Sequence, residues 1–395
     1  MPENHALIYG ASGITGWSIT NALLNGYPTE DTFASVTALT NRPLNTGDAL
    51  WPKPERPQLQ VASGVNIMTP KGVEGLEADL KAKVKNISRI SHVYFFAYIM
   101  DPDPAKECDI NKELIRRAVS AVEALSPYLK FVVLPTGTKA YGVHLLDHFP
   151  FPKDVPLHET LPRIPEPFAS QMFYYDQTDM LSQMAKGKDW TWCEIIPDNI
   201  IGFVPNNNIY CLAQTVGTYL NLFTELHGKG AECPFPGSEK SWNNLSSECN
   251  QDIVAKVCIY ASLHPELTSE QRYNVADSSQ PSSWSKKWPV ICEYFGLRGT
   301  PPPADGQAPQ PMQYLSDHID EWRALEQRHG LVSGRVANDR SFGGFASFIM
   351  TMLDFDRQLD LSKCHEMWGS STEEIDTRQS WYTTLDRFKK ARIIH

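Results

Sequence analysis

Two short blocks of this chain carry side chains suited to proton-donating chemistry. Leu134-Pro-Thr136-Gly-Thr-Lys139-Ala-Tyr-Gly142 places a lysine just after a strand-like run, and Phe173-Tyr174-Tyr175-Asp176 places two tyrosines at the start of a helix-like run. A preorganised phenol can hydrogen-bond to negative charge as it develops on a substrate oxygen. An ammonium close by stabilises anionic character on the phenol and can also bind a ribose. The pair must be assembled from separate stretches of chain. At four residues past each tyrosine stand Thr178 and Asp179, not lysine. Thr136 adds a hydroxyl at the strand end, placed to meet a cofactor or assist the phenol, or only to cap backbone.

A third block indicates what these groups act with. Gly10-Ala-Ser12-Gly13-Ile14-Thr15-Gly16 lies between an apolar run and an amphipathic one. In such a strand–loop–helix unit one glycine makes the turn, one lets a pyrophosphate approach the backbone, and one lets helix and strand pack. The first N–H groups of the helix then face the phosphates. Gly10, Ser12, Gly13, Ile14, Thr15 and Gly16 are therefore candidate cofactor contacts. The run after the second strand is Thr40-Asn41-Arg42. It lacks the acid that commonly binds the ribose diol of NAD, while Arg42 can pair with a 2′-phosphate. With Asn41 beside it, this predicts NADPH as cofactor. Read plainly, Arg42 is a solvated turn residue.

The surrounding pattern supplies elements to hold these blocks. Strands are predicted at Ala6–Gly10, Ser35–Leu39, near Leu59–Ala62, at His92–Tyr98, Phe131–Pro135 and Trp190–Ile196. Helices are predicted over 14–25, from about Asp109 to Leu125, and from about Phe173 to Ala185. Their alternation predicts an α/β fold with a Rossmann-type, doubly wound parallel sheet. Residues 1–205 would form the cofactor domain with Lys139 and Tyr174. Residues 206–395, mainly helical, would cover the substrate and interleave with the sheet. Asn206–Phe223 and Gly343–Phe355 are helix candidates there. Phe342, Phe345 and Phe348 recur at three-residue spacing, so Phe342 and Ala346, one turn apart, are candidate substrate contacts; a packed core helix is the plainer reading. Tyr98 ends the fourth strand beside the expected crevice and is a further substrate candidate.

Composition narrows the partners. The chain has 395 residues, is 42% hydrophobic and 21% charged, and carries a net charge of −10. That balance disfavours nucleic acid or an anionic membrane as partner. No apolar stretch is long enough to span a bilayer and no leader is evident. The eight cysteines form no Cys-x-x-Cys pair, which argues against a zinc ribbon and for reduced thiols in a cytoplasmic protein. His144 and His148 have a metal-like spacing but lack the Glu that would follow the first histidine, and no metal is predicted. Homodimerisation stays open.

Taken together with these blocks, the chain resembles the progesterone 5β-reductase/iridoid synthase-like enzymes, a group of atypical short-chain dehydrogenases. The resemblance rests on the glycine loop, Asn41-Arg42-Pro43, Thr136-Gly-Thr-Lys139-Ala-Tyr-Gly142, Phe173-Tyr174-Tyr175-Asp176 and Phe235-Pro-Gly-Ser-Glu-Lys-Ser-Trp242, and covers most of the chain. It implies Lys139 and Tyr174 as the catalytic pair, an NADPH cofactor, and reduction of a C=C bond conjugated to a carbonyl in a small apolar substrate. Three positions depart from the pattern. Ile196-Pro197 stands for Arg-Pro, Leu145 for a phenylalanine near the substrate, and Met172 for an asparagine. They leave a carbonyl reductase and a redox-neutral isomerase or cyclase as alternatives.

Overall fold

The computed structural model describes residues 3–304, 308–338 and 344–395. The strands are β1 (Asn4–Tyr9), β2 (Phe33–Thr40), β3 (Gln58–Ser63), β4 (His92–Phe95), β5 (Phe131–Pro135), β6 (Thr191–Pro197), β7 (Ile200–Ile201), β8 (Glu232–Pro234), β9 (Cys249–Asn250), β10 (Gln271–Val275) and β11 (Arg298–Thr300). Seven of them form one sheet in the order β10-β6-β5-β4-β1-β2-β3. Every pairing in it is parallel. Parallel sheets are covered on both faces, so their central strands read as near-continuous apolar runs. Residues Ala6–Tyr9 and Val132–Leu134 are almost wholly buried, as that rule requires.

The helices that precede the site are α1 (Ile14–Leu24), α2 (Gly72–Lys83), α3 (Pro104–Leu125), α4 (Phe173–Ala185) and α5 (Leu212–His227). One buried apolar cluster joins α1, α5 and the C-terminal helices to one face of the sheet. A second joins α2, α3 and α4 to the other. A third, smaller cluster packs beneath residues 140–175 and includes Leu359 and Leu361.

The predicted elements differ from these in instructive ways. Helix α3 begins at Pro104 and not near Asp109, because the Asp103 carboxylate accepts from Ala105 N at 3.1 Å and Pro104 suits the first turn. Helix α2 went unpredicted; it buries only Leu76 and Leu80, too few positions for a visible period. The predicted fourth strand stops at Phe95, and residues 96–98 leave the sheet towards the cleft. The candidate helix Gly343–Phe355 is, over its described part, a short turn at Phe345–Ser347 followed by a wider π-type turn at Phe348–Met352. The Ser241 hydroxyl donates to Met350 O at 2.6 Å. A Cβ at Gly237 would lie 2.1 Å from that same oxygen, so glycine is needed for the approach. The second half of the chain also supplies β10, which pairs with β6 at the sheet edge.

Candidate active site

In an open parallel sheet, ligands bind beyond the carboxyl ends of the strands, where the strand order reverses. Here the reversal lies between β1 and β4. A cleft of about 650 Å³ occupies that position. The loops after β1, β4, β5 and β6 form its floor, bringing Gly13–Gly16, Phe96–Tyr98, Thr136–Lys139 and Pro197–Ile200 to one surface.

The glycine loop is shaped by close approach. Gly10 has φ +77°, and a Cβ there would lie 2.7 Å from Phe96 O. A Cβ on Gly16 would lie 2.3 Å from Gly10 O. Neither position accepts a side chain. Gly13 is different, since the nearest atom to its Cβ would be Gly10 O at 3.3 Å and the residue borders open cleft. Gly13 caps α1 without any side-chain hydrogen bond, and no acid stands in the first turn. The first N–H groups of α1 thus face the cleft as an anion site. Arg42 also borders the cleft. These features fit a dinucleotide. Ser12 and Asn41 are not among the lining residues.

Lys139 sits on a 3₁₀ turn, Thr138–Tyr141, directly after β5. Its cleft partner comes from the start of α4. A Cβ on Gly137 would lie 3.6 Å from the Tyr174 hydroxyl, which places that hydroxyl over the backbone two residues before Lys139. Among the described residues the Tyr174 hydroxyl has no hydrogen-bond partner; its ring meets Phe173 edge-on at 4.5 Å. Burial, then Tyr210, Glu107 and Glu194, push its pKa well above the usual phenol range. Lys139 is not among the groups acting on it. Tyr174 is therefore a neutral donor opening into the cleft.

Its neighbour Tyr175 is fully engaged. The Tyr175 hydroxyl donates to Ala140 O at 2.6 Å and accepts from Ile164 N at 3.0 Å. The Arg163 guanidinium lies 4.7 Å from the ring centre. Tyr175 fastens the lysine turn to the loop over residues 161–164, leaving Tyr174 as the donor to the cleft.

Thr136 lines the cleft, but its hydroxyl donates at 2.7 Å to Glu194, a buried carboxylate that also meets Arg272 at 3.1 Å. It is committed to the β5–β6 interior and does not assist Tyr174. Leu145 is not at the cleft wall. Val143 and His144 border the cleft while Leu145 packs against the third cluster. Ala346 is buried in the first cluster. Phe345 and Phe348 line the cleft in its place, because three-residue spacing keeps them on one face and turns residue 346 away. Phe342 lies outside the described residues. Tyr98 does line the cleft, stacked on Phe173 at 5.4 Å, with its hydroxyl donating to Glu107. His148 stacks on Phe168 at 5.9 Å.

The family model of a PRISE-like Rossmann-fold domain matches residues 6–395. The chain belongs to this family. Its relatives place it among the short-chain dehydrogenases. The short chain dehydrogenase sirR of Leptosphaeria maculans is 33% identical, over 98% of this chain and 96% of its own. The (S)-8-oxocitronellyl enol synthase ISY1 of Nepeta cataria is 24% identical, over 99% of this chain and 93% of its own. Among solved structures, RMD from Pseudomonas aeruginosa complexed with NADPH shares the fold with a TM-score of 0.60. It is 13% identical and 98% of each chain is covered. The PRISE-like fold thus accounts for the sheet, and no helix among the described residues is long and apolar enough to cross a membrane.

Tyr210 and Ile349 lie on two segments whose apolar spacing already made them candidates for a pocket wall, and both line the cleft. Other lining residues had no motif to announce them: Asp198 and Asn199 follow β6, Asn207–Ile209 precede α5, and Leu353 comes from the far end of the chain. Only the rule that sites gather at carboxyl strand ends pointed to the first pair. Gln177 lines the cleft and donates to Asn111 O at 3.1 Å, while the Asn111 amide holds Ile99 through both its N–H and its carbonyl. That pair ties the cleft lip at 96–100 to α3 and α4.

Proposed function

We propose that this protein is an NADPH-dependent reductase of a C=C bond conjugated to a carbonyl, acting on an apolar substrate. The observation that carries the reading is Tyr174. Its neutral, unpartnered hydroxyl opens into a cleft walled by Phe96, Tyr98, Phe173, Tyr210, Phe345 and Phe348, next to the turn bearing Lys139. The loop Gly13–Gly16 would hold the pyrophosphate and Arg42 the 2′-phosphate. Bound there, the cofactor supplies hydride.

Hydride added to the carbon β to a carbonyl leaves negative charge on the carbonyl oxygen. Tyr174 donates a hydrogen bond to that oxygen and stabilises the enolate as charge forms. Lys139 contributes positive charge at the same end of the cleft and binds ribose hydroxyls. Apolar side chains around the donor lower the local dielectric, which strengthens its hydrogen bond. A relative named as an enol synthase, and a structural neighbour solved with NADPH, support this reading.

The test is label transfer from NADPH deuterated at the transferring position. Deuterium at the β-carbon of the product is the expected result. Label at a carbinol carbon would establish carbonyl reduction instead. Turnover with neither label transfer nor NADPH loss would establish a redox-neutral isomerase or cyclase.

A further inference from the structure

His144 borders the cleft three residues after Tyr141, on the same segment as Lys139. Its Nδ1 is sealed from solvent and has no hydrogen-bond partner. Nε2 has no partner among the described residues either, yet it is not sealed. A neutral imidazole carries one N–H, and the two nitrogens exchange roles with the tautomer. A proton on Nδ1 would be a buried donor with no acceptor, whereas a bare Nδ1 leaves only a lone pair unmet. The proton therefore belongs on Nε2, which becomes a donor facing the cleft.

The ring also stays neutral. Burial first, and the Lys139 charge second, push its pKa down to about 4. A neutral donor does not repel Lys139, and it offers the cleft a hydrogen bond that no other described group takes up.

We propose that His144 reads a second oxygen on the substrate, donating from Nε2 to a carbonyl, ether or hydroxyl oxygen distinct from the one that Tyr174 meets. This step rests on the reductase reading for the first oxygen. The substrate class is then narrower than an apolar enone: it is an enone that carries a further hydrogen-bond acceptor. His144 sets specificity and takes no part in hydride or proton transfer. A site built to hydrogen-bond a substrate oxygen discriminates against the analogue that lacks it, because the buried polar group is then left unpaired.

The test compares trans-chalcone with its monomethoxy positional isomers, which scan the place of the second oxygen. Affinity is measured by titration calorimetry on the cofactor-loaded protein, alongside NADPH consumption. In the wild type at least one isomer should bind more tightly than chalcone. His144→Phe should weaken that isomer about tenfold and change chalcone less than about twofold, a loss equal to one hydrogen bond. His144→Gln, which keeps a donor, should recover part of it. KM should rise with kcat held, since the contact is the same in ground and transition states. The proposal is overturned if no isomer binds more tightly than chalcone, if His144→Phe weakens all ligands alike, or if it weakens none. Selective binding without NADPH consumption would count against the reductase reading and leave His144 in its role.

Discussion

The two ends of the cleft are made of different material. At the glycine-loop end the ligand meets backbone: Gly10 and Gly16 admit no Cβ, and the first N–H groups of α1 stand uncapped. At the other end it meets side chains from three distant segments, residues 96–100, 207–210 and 345–353. Tyr98 meets Phe173 and Tyr210, and Tyr210 meets Phe345 edge-on at 5.4 Å. The backbone end can hold only what fits its fixed geometry. The side-chain end can change its ligand by substitution, with the sheet left untouched.

That contrast can be broken most directly at Gly16. Gly16→Ala should remove NADPH binding and cost about 1–3 kcal/mol of stability, as overpacking does. Cofactor titration and thermal unfolding read both. Retained NADPH binding would show that the loop is not the rigid half.

Tyr174 lies at the seam between the two ends. Tyr174→Phe should lower kcat by about 100- to 1,000-fold, the usual cost of one donor to a developing oxyanion. NADPH affinity should hold. Tyr175→Phe should spare kcat and cost stability by about 1–3 kcal/mol, since it leaves Ile164 N and Ala140 O unmet. The reverse outcome would exchange the roles of the two tyrosines.

Arg42 is the side-chain contribution to the backbone end. Arg42→Ala should weaken NADPH by about 10- to 100-fold, the worth of a hydrogen bond to a charged group. NADH should be unaffected. Equal losses for both cofactors in parallel titrations would remove the 2′-phosphate role. The smallest effect is expected at Phe348. Phe348→Ala should raise KM for an apolar enone by about tenfold through lost apolar contact, with cofactor affinity constant. A change in NADPH affinity there would blur the division between the two ends.

The same division explains what was legible in the sequence. The glycine loop, Lys139 and the central strands obey local rules, namely turn chemistry, apolar runs and helix starts, so a short window is enough to read them. The choice between Tyr174 and Tyr175 follows family resemblance in the sequence and hydrogen bonding in the structure. For the aromatic wall the local rule goes only part of the way: three-residue spacing groups Phe345 with Phe348 but does not say what that face meets. Phe345 and Phe348 face the cleft because a π-type turn is held against Gly237, more than 100 residues away in the chain. Leu145 is also placed by distant residues, since the cluster it packs against draws on residues 140–175 and on Leu359 and Leu361. Thr136 looked free to assist because Glu194, its partner at 2.7 Å, lies on another strand.

The eight cysteines take on a different meaning beside this chemistry. An enone is an alkylating agent, and a thiolate is what it alkylates. All eight thiols are buried, and none borders the cleft. Burial also pushes several of them towards the protonated form, Cys108 up to about 11 and Cys211 and Cys364 up to about 12. On the proposed reading, in which the substrates are enones, burial of every thiol would protect the protein from alkylation by its own substrates.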